Sequence, residues 1–402
     1  MGSSRAVVGA VNALAARWAS VAVAEGRNTV FSPVGVWPLL GLLADGAGGD
    51  AREELAEAVG LPAGAAAEGA RQLLAELGRM PGVAAAVGLW TDRRAVPEPA
   101  WVAALPEATL GELTGDSRLD RTRLDAWAEK VTNGLIPSMP VDLDEQTRLV
   151  LASGLSLRTR WIRPFYEGLC LPEVGPWADR HWAGLDRTTG LLDRAAVLRG
   201  EAGAVTELSV LGYDDLEVRL LLGEEGRPPA EVLRTGIAAL SGRGVERVTA
   251  DVVPASEAGP GMYLEHRRSW HPDPLLNART VSFGFEAEHD LLRPAAPFGL
   301  GAASDTARGH FPGISRSEPL AIASARQRAI ASFRAKGFEA AAVTALGMAG
   351  AGLDTRRPPY RIRDVTVCYD RPFGFLAIHR HSRVVLAAGW VAEPTAYREP
   401  LD

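Results

Sequence analysis

Two histidines separated by one residue are the side chains in this sequence best spaced to bind a metal ion. His379 and His381 end an alternating apolar run, so they would lie on one face at the end of a strand. A zinc site needs three or four ligands, and the neighbouring sequence offers no evident third one. A solvated strand edge is therefore favoured over a metal site, and no bound metal is expected.

A second cluster of ionisable side chains is Glu-Ala-Glu-His-Asp at 286–290. Carboxylates beside an imidazole could serve as a general acid and base, although the sequence favours a polar turn here. No hydrolase elbow, zinc-protease motif or phosphate-binding loop occurs, and 299–301 is only a Gly-x-Gly fragment. No catalytic residues and no cofactor are expected, and a role other than enzyme is favoured.

The composition is typical of a globular protein without a membrane segment. The chain has 402 residues, a net charge of −6, and 47% hydrophobic and 23% charged residues. Two cysteines exclude a disulfide framework and fit a reducing compartment. No apolar run reaches the roughly 18 residues of a spanning helix, and no clear signal peptide precedes the first helix. A cytoplasmic protein that binds neither membrane nor nucleic acid is expected.

Hydrophobic periodicity predicts mixed helices and strands without a linker, so residues 1–402 are expected to form one α+β domain. Helices are predicted over 7–24, 35–44, 124–131 and 229–240, with a further helix capped by Asp50 and a helix-like run ending near Phe333. Strands are predicted over 29–33, 83–90, 148–157, 247–253, 281–285, 365–369, 373–378 and 384–391, with paired strands over 205–222 around a turn at 212–215.

The segment 335–361 is rich in small residues and has no clear secondary structure. It is longer than the ~12–15 residues beyond which an irregular loop is usually functional. Its first half, around 339–345, has small side chains that suit a helix, a strand or an extended loop. These properties favour a segment that changes conformation.

The run Lys-Gly-Phe-Glu-Ala-Ala-Ala-Val-Thr at 336–344 resembles the hinge of the serpin reactive-centre loop. Other blocks resemble serpin motifs in the same order along the chain, and several ordered matches are more specific than one. These blocks are 28–33 with 46–47, Trp127 with 132–136, 147–165, 311–315 and 370–394. The sequence is identified as a member of the serpin superfamily, of a bacterial, actinobacterial type.

The resemblance implies three β-sheets, eight or nine helices and an exposed reactive-centre loop at about 338–364. A serine peptidase would cut this loop, which would then insert as a new strand and release the energy of a metastable fold. The implied hinge residues are Gly337, Phe338, Glu339, Ala340, Ala341, Ala342, Val343 and Thr344. Counting along the hinge places the scissile bond at Ala351–Gly352, which implies an elastase- or subtilisin-like peptidase; Arg356–Arg357 is the other candidate.

Several positions depart from the family pattern. Phe338 replaces the usual small hydroxyl at the first hinge position to insert, where a ring must find a cavity or stall insertion. In the shutter, the region that gates sheet opening, Gln327 replaces a histidine, Gly35 replaces a serine and Ser32 is kept. Trp161 marks the breach, where the loop enters the sheet. The loop is also roughly ten residues longer than is usual, which favours simple cleavage.

Two functions therefore remain open. The first is an inhibitor that traps a serine peptidase by loop cleavage and strand insertion. The second is a non-inhibitory serpin fold repurposed to bind a small molecule or to act as an enzyme of small-molecule metabolism. The measured stability of the protein before and after loop cleavage distinguishes them, because only insertion would raise it.

Overall fold

A computed structural model describes residues 4–106, 109–132, 134, 136–144, 147–201, 203–338 and 358–399. The predicted α+β class with three sheets is confirmed. The α-helices of these residues are α1 (Arg5–Ala22), α2 (Pro33–Gly46), α3 (Gly49–Val59), α4 (Ala63–Leu77), α5 (Pro99–Ala103), α6 (Ser117–Val131) and α7 (Pro229–Ser241). No helix among them is long and apolar enough to cross a membrane.

The strands form three sheets, here called I, II and III. Sheet I contains β2 (Val83–Asp92), β3 (Leu110–Leu113), β4 (Leu149–Leu157), β5 (Thr159–Arg160), β14 (Phe283–Asp290), β15 (Ser324–Arg334) and β16 (Gly337–Phe338). Sheet II contains β1 (Thr29–Phe31), β8 (Ala195–Gly200), β9 (Gly203–Leu211), β10 (Leu216–Gly223), β11 (Glu246–Thr249), β18 (Phe373–His379) and β19 (Val385–Val391). Sheet III contains β6 (Tyr166–Cys170), β7 (Trp182–Thr189), β12 (Met262–Ser269), β13 (Leu275–Val281) and β17 (Tyr360–Cys368).

Strand β15 runs through the middle of sheet I, and the prediction of a helix-like run ending near Phe333 is wrong. Its odd-numbered residues from Ala325 to Phe333 are buried, and the even-numbered ones between them are only half-buried. This period of two is that of a strand with one face against the core. The buried face places Phe333 and Gln327 on the same side of the sheet.

The local predictions hold in part. The paired strands around 212–215 are β9 and β10, and the predicted helix 229–240 is α7. Asp50 is not a cap, because α3 begins at Gly49 and Gly48 occupies the N-cap position. The predicted strand 281–285 is divided at Ser282 between β13 and β14.

The segment 286–290 is part of strand β14, so the predicted polar turn is wrong. Glu286 contacts Arg328 at 2.8 Å, whereas Nε2 of His289 lies 2.9 Å from the carbonyl oxygen of Val30. Burial lowers the pKa of His289, which favours the neutral imidazole. The carboxylate and the imidazole point to opposite faces of the strand, so they do not form one acid–base cluster.

Candidate functional site

The central feature of sheet I is a seam between two parallel strands. Strands β4 and β15 pair in parallel from Val150–Ser324 to Leu155–Ala329. Beyond Ala329, β15 continues to Arg334 and pairs with β16 instead. Strand β16 in turn pairs with β5, and both pairings are antiparallel. The short strand β16 therefore lies at the end of the seam, between its two sides.

Strand β16 consists of the first two predicted hinge residues, Gly337 and Phe338. Phe338 lies opposite Phe333 on one side and Thr159 on the other. A Cβ atom on Gly337 would lie 2.3 Å from the carbonyl oxygen of Thr159, so no larger residue fits without moving the backbone. This close approach explains why the hinge strand begins with glycine.

The ring of Phe338 is accommodated in the core. The side chain is 3% exposed, and its ring centroid lies 6.4 Å from that of Phe375. Phe283 joins the same group of rings, 5.1 Å from Phe375 and 5.3 Å from Phe333. These separations are typical of favourable aromatic packing. The cavity that a phenylalanine at this position needs is therefore present and filled.

Trp161, the residue predicted to mark the breach, holds the turn that joins β15 to β16. Its indole Nε1 donates a hydrogen bond to the carbonyl oxygen of Arg334 at 2.8 Å, and its backbone N–H donates to that of Lys336 at 3.0 Å. The backbone N–H of Phe165 donates to Ala335 at 2.8 Å. The indole also packs on Phe333, with ring centroids 4.9 Å apart.

The shutter position Gln327 forms a fully buried polar network. Its Oε1 accepts a hydrogen bond from the backbone N–H of Ser32 at 2.7 Å, and its Nε2 donates to the Ser32 carbonyl at 2.9 Å. The same Nε2 donates to the hydroxyl of Ser153 at 2.9 Å. Gln327 and Ser153 are register partners across the seam, so this bond joins its two sides.

Gly35 provides the space that this network needs. A Cβ atom at that position would lie 3.1 Å from both Nε2 of Gln327 and Oγ of Ser153. Ser153 was not singled out from the sequence. Its only signal is a serine within the predicted apolar strand 148–157, and its role depends on a strand register that the sequence does not specify.

Replacing Gly35 with serine, the residue usual in the family, is expected to destabilise this protein. The new side chain would crowd Gln327 and Ser153, and overpacking of this kind costs about 1–3 kcal/mol. Thermal unfolding measures the loss. Gly9→Ser on α1 is the matched control, because nothing lies within 4 Å of a Cβ there. Equal melting temperatures for the two variants would contradict the packing explanation.

The other predicted hinge and cleavage residues lie outside the described residues. They are Glu339, Ala340, Ala341, Ala342, Val343, Thr344, Ala351, Gly352, Arg356 and Arg357.

Comparison with known proteins identifies the family. The family model described as Serpin (serine protease inhibitor) matches residues 10–170 and 281–394. This chain belongs to the serpin family. The superfamily and the fold implied by the sequence resemblance are thereby confirmed, and the two serpin matches contain all four described shutter and breach residues, Ser32, Gly35, Trp161 and Gln327.

Two curated relatives of this serpin are plant proteins. Serpin-Z2B of Oryza sativa subsp. japonica is 26% identical and covers 95% of each chain. Serpin-Z1A of Triticum aestivum is 27% identical, with 91% of this chain and 90% of the relative covered. The predicted bacterial type is not tested by these relatives and stays a prediction.

Solved structures share the serpin fold at low sequence identity. Thyroxine-binding globulin in complex with thyroxine has a TM-score of 0.72 and 17% identity, covering 97% of this chain and 99% of its own. The thermophilic serpin tengpin in its native state has a TM-score of 0.70 and 15% identity, covering 96% and 93%. At these identities the likeness establishes the fold alone.

Proposed function

We propose that this serpin inhibits a serine peptidase by loop cleavage and strand insertion. The observation that supports this function best is the position of β16. Its two residues occupy the end of the seam, antiparallel to both β15 and β5. A longer inserted strand would continue the same register towards Gln327 and Ser153.

Insertion in this register assigns the hinge residues to alternate faces of sheet I. The side chains of Ala340, Ala342 and Thr344 would follow Phe338 onto the core face, because strand side chains alternate. Glu339, Ala341 and Val343 would lie on the opposite face. For a strand to enter between β4 and β15, the separation of these two strands must increase from about 4.8 Å to about twice that distance. Small residues on the core face keep the cost of entry low.

The proposed reaction begins with attack of the peptidase serine oxygen on the carbonyl carbon of Ala351. The bond to the nitrogen of Gly352 breaks, and that nitrogen leaves as an amine that takes up a proton. An ester between Ala351 and the peptidase remains while the hinge inserts. Alanine at this position suits an elastase- or subtilisin-like enzyme.

We further propose that residues 1–402 form one domain and act in the cytoplasm, as the two free cysteines allow.

Mixing the full chain with subtilisin, elastase and trypsin tests the proposal. We expect a complex with subtilisin or elastase that survives denaturing electrophoresis and whose mass places the ester at Ala351. Ala342→Glu should abolish the complex, since it would place a charge on the core face. Ala341→Glu is the matched control and should retain more inhibition, because it faces the side on which β15 residues are half-buried.

Heat stability of the cleaved protein gives a second readout. Insertion should raise the melting temperature after cleavage, since the sheet gains a strand. Cleavage without a complex and without that gain would exclude the inhibitory mechanism.

Such a result would turn attention to the rival function, small-molecule binding or metabolism. A groove of about 1460 Å³ between α1 and α7 is available for it, with Arg5, Arg234 and Arg243 among its lining residues. We do not favour this function, because the matching family model describes inhibitors.

A further inference from the structure

We propose that His379, His381 and Asp215 form a binding site for a divalent transition-metal ion of the zinc type. The sequence supplied two histidines on one strand end but no evident third ligand. The fold supplies it: one ring nitrogen of each histidine and one carboxylate oxygen of Asp215 lie within 4.8 Å of one another. The site is separate from the hinge and the shutter.

Strand pairing in sheet II brings these residues together. Strands β10 and β18 are antiparallel neighbours, and Leu216 lies opposite His379. The turn that precedes β10 therefore meets the turn that follows β18. Asp215 has a left-handed backbone with φ of 57°, and its carbonyl oxygen accepts a hydrogen bond from the backbone N–H of Arg380 at 2.8 Å. The carboxylate is thus fixed at the position where the two turns meet.

Neighbouring groups orient two of the three proposed ligands, Asp215 and His379. The guanidinium of Arg380 donates to Oδ1 of Asp215 at 2.5 Å, while Oδ2 lies 3.2 Å from Nδ1 of His381. Nδ1 of His379 lies 2.8 Å from the hydroxyl of Ser382. Metal-binding imidazoles and carboxylates typically have such second partners, which fix ring orientation and tautomer.

The ligand set selects the ion. Two imidazole nitrogens and one carboxylate oxygen match three-ligand zinc sites, which keep a fourth position open for water. Mg²⁺ and Ca²⁺ prefer oxygen ligands and are disfavoured. Tetrahedral zinc with bonds of about 2.0–2.1 Å needs ligand atoms about 3.3 Å apart. Binding therefore requires the three ligand atoms to come closer together than the 4.8 Å within which they lie. The side chain of His381 is 70% exposed and can make this movement.

The site lies next to the strand that flanks the hinge. The turn of Asp215 includes Tyr213, whose backbone N–H donates to Arg160 at 3.0 Å and whose carbonyl accepts from Oγ1 of Thr159 at 3.0 Å. Thr159 and Arg160 are strand β5. A bound ion would therefore link the end of β18 to the turn that supports β5, and it should stabilise the folded protein.

Titration of chelator-treated full-length protein with Zn²⁺ tests the site, with calorimetry for affinity and the visible absorption of Co²⁺ for geometry. We expect one ion per chain, a tetrahedral Co²⁺ spectrum, and a rise in melting temperature with Zn²⁺ but not with Mg²⁺. His381→Gln and Asp215→Asn should each weaken Zn²⁺ binding at least tenfold. His266→Gln, which replaces an exposed histidine on β12, is the matched control and should bind as the unaltered protein does.

His381→Gln should melt at the same temperature as the unaltered protein when no metal is present, because this side chain is mostly exposed. Its loss of binding then reports a ligand and not a folding defect. Absence of Zn²⁺ binding by the unaltered protein, or equal affinities for His381→Gln and His266→Gln, would overturn the proposal.

Discussion

Replacing Phe338 with alanine is expected to lower the melting temperature by about 4–6 °C and to release the hinge strand. Truncation of a buried phenylalanine costs about 3–5 kcal/mol, and a chain of 402 residues loses about 1.2 °C per kcal/mol. The ring is the large apolar group of β16, whose only other residue is Gly337. Without the ring, only the two short strand pairings of β16 offset the conformational entropy that the hinge would gain on release.

Hydrogen exchange distinguishes hinge release from general destabilisation. We expect faster exchange in the Phe338→Ala protein at β16 and at the Trp161 N–H, which bonds to Lys336. Exchange in distant parts of sheet II should stay unchanged.

Phe338→Leu is the matched control, because it keeps an apolar side chain and should recover most of the stability. At about 1.2 °C per kcal/mol, a change of less than 1 °C in melting temperature corresponds to a loss of less than about 1 kcal/mol. Such a small change in Phe338→Ala would show that the ring does not anchor the hinge.

The sequence predicts a hinge that begins at Gly337, but it does not predict the environment of Phe338. Gly337 and the small residues after it form a local pattern that resembles a family motif. The group of rings that Phe338 joins includes Phe375 on β18 and Phe283 on β14, which are distant in the sequence, and Phe333 on the adjacent strand β15. A single sequence gives no measure of such long-range packing.

Strand β15 shows why local patterns fail within a large sheet. Its alanines, arginines and glutamine favour helix by intrinsic propensity, in the same direction as the predicted helix-like run. Burial on one face of the sheet overrides that preference. The same dependence on strand pairing kept Ser153 and Asp215 from being found, because each meets its partners only through the register of neighbouring strands.

Replacing Gln327 with leucine is expected to lower the melting temperature by about 2–7 °C. Leucine fills similar space but leaves the Ser32 N–H and the Ser153 hydroxyl without the bonds they make to Gln327. A buried polar group that loses its partner costs about 1–3 kcal/mol, and two such groups at about 1.2 °C per kcal/mol give this range. Thermal unfolding measures the loss.

Gln72→Leu is the matched control, since Gln72 is exposed on α4 and its replacement should change stability by no more than about 0.5 kcal/mol.

Gln327→Leu should also speed strand insertion after loop cleavage, because the bond from Gln327 to Ser153 crosses the seam that must open. The rate at which cleaved protein becomes heat-stable measures this effect. An unchanged rate would show that the bond does not control opening.

A double-mutant cycle tests whether Gly35 and Gln327 act as one unit. Gln327→His alone should destabilise, because it replaces an amide that bonds Ser32 and Ser153 together. Gly35→Ser alone crowds that same amide, whose Nε2 would lie 3.1 Å from the new Cβ. The double variant restores the serine and histidine usual in the family. Its loss of unfolding free energy should be about 0.5–3 kcal/mol smaller than the sum of the losses in the two single variants. Additive effects on the free energy of unfolding would contradict this. They would mean that Gly35 and Gln327 contribute to stability independently, and that a small residue at Gly35 is not required by the side chain of Gln327.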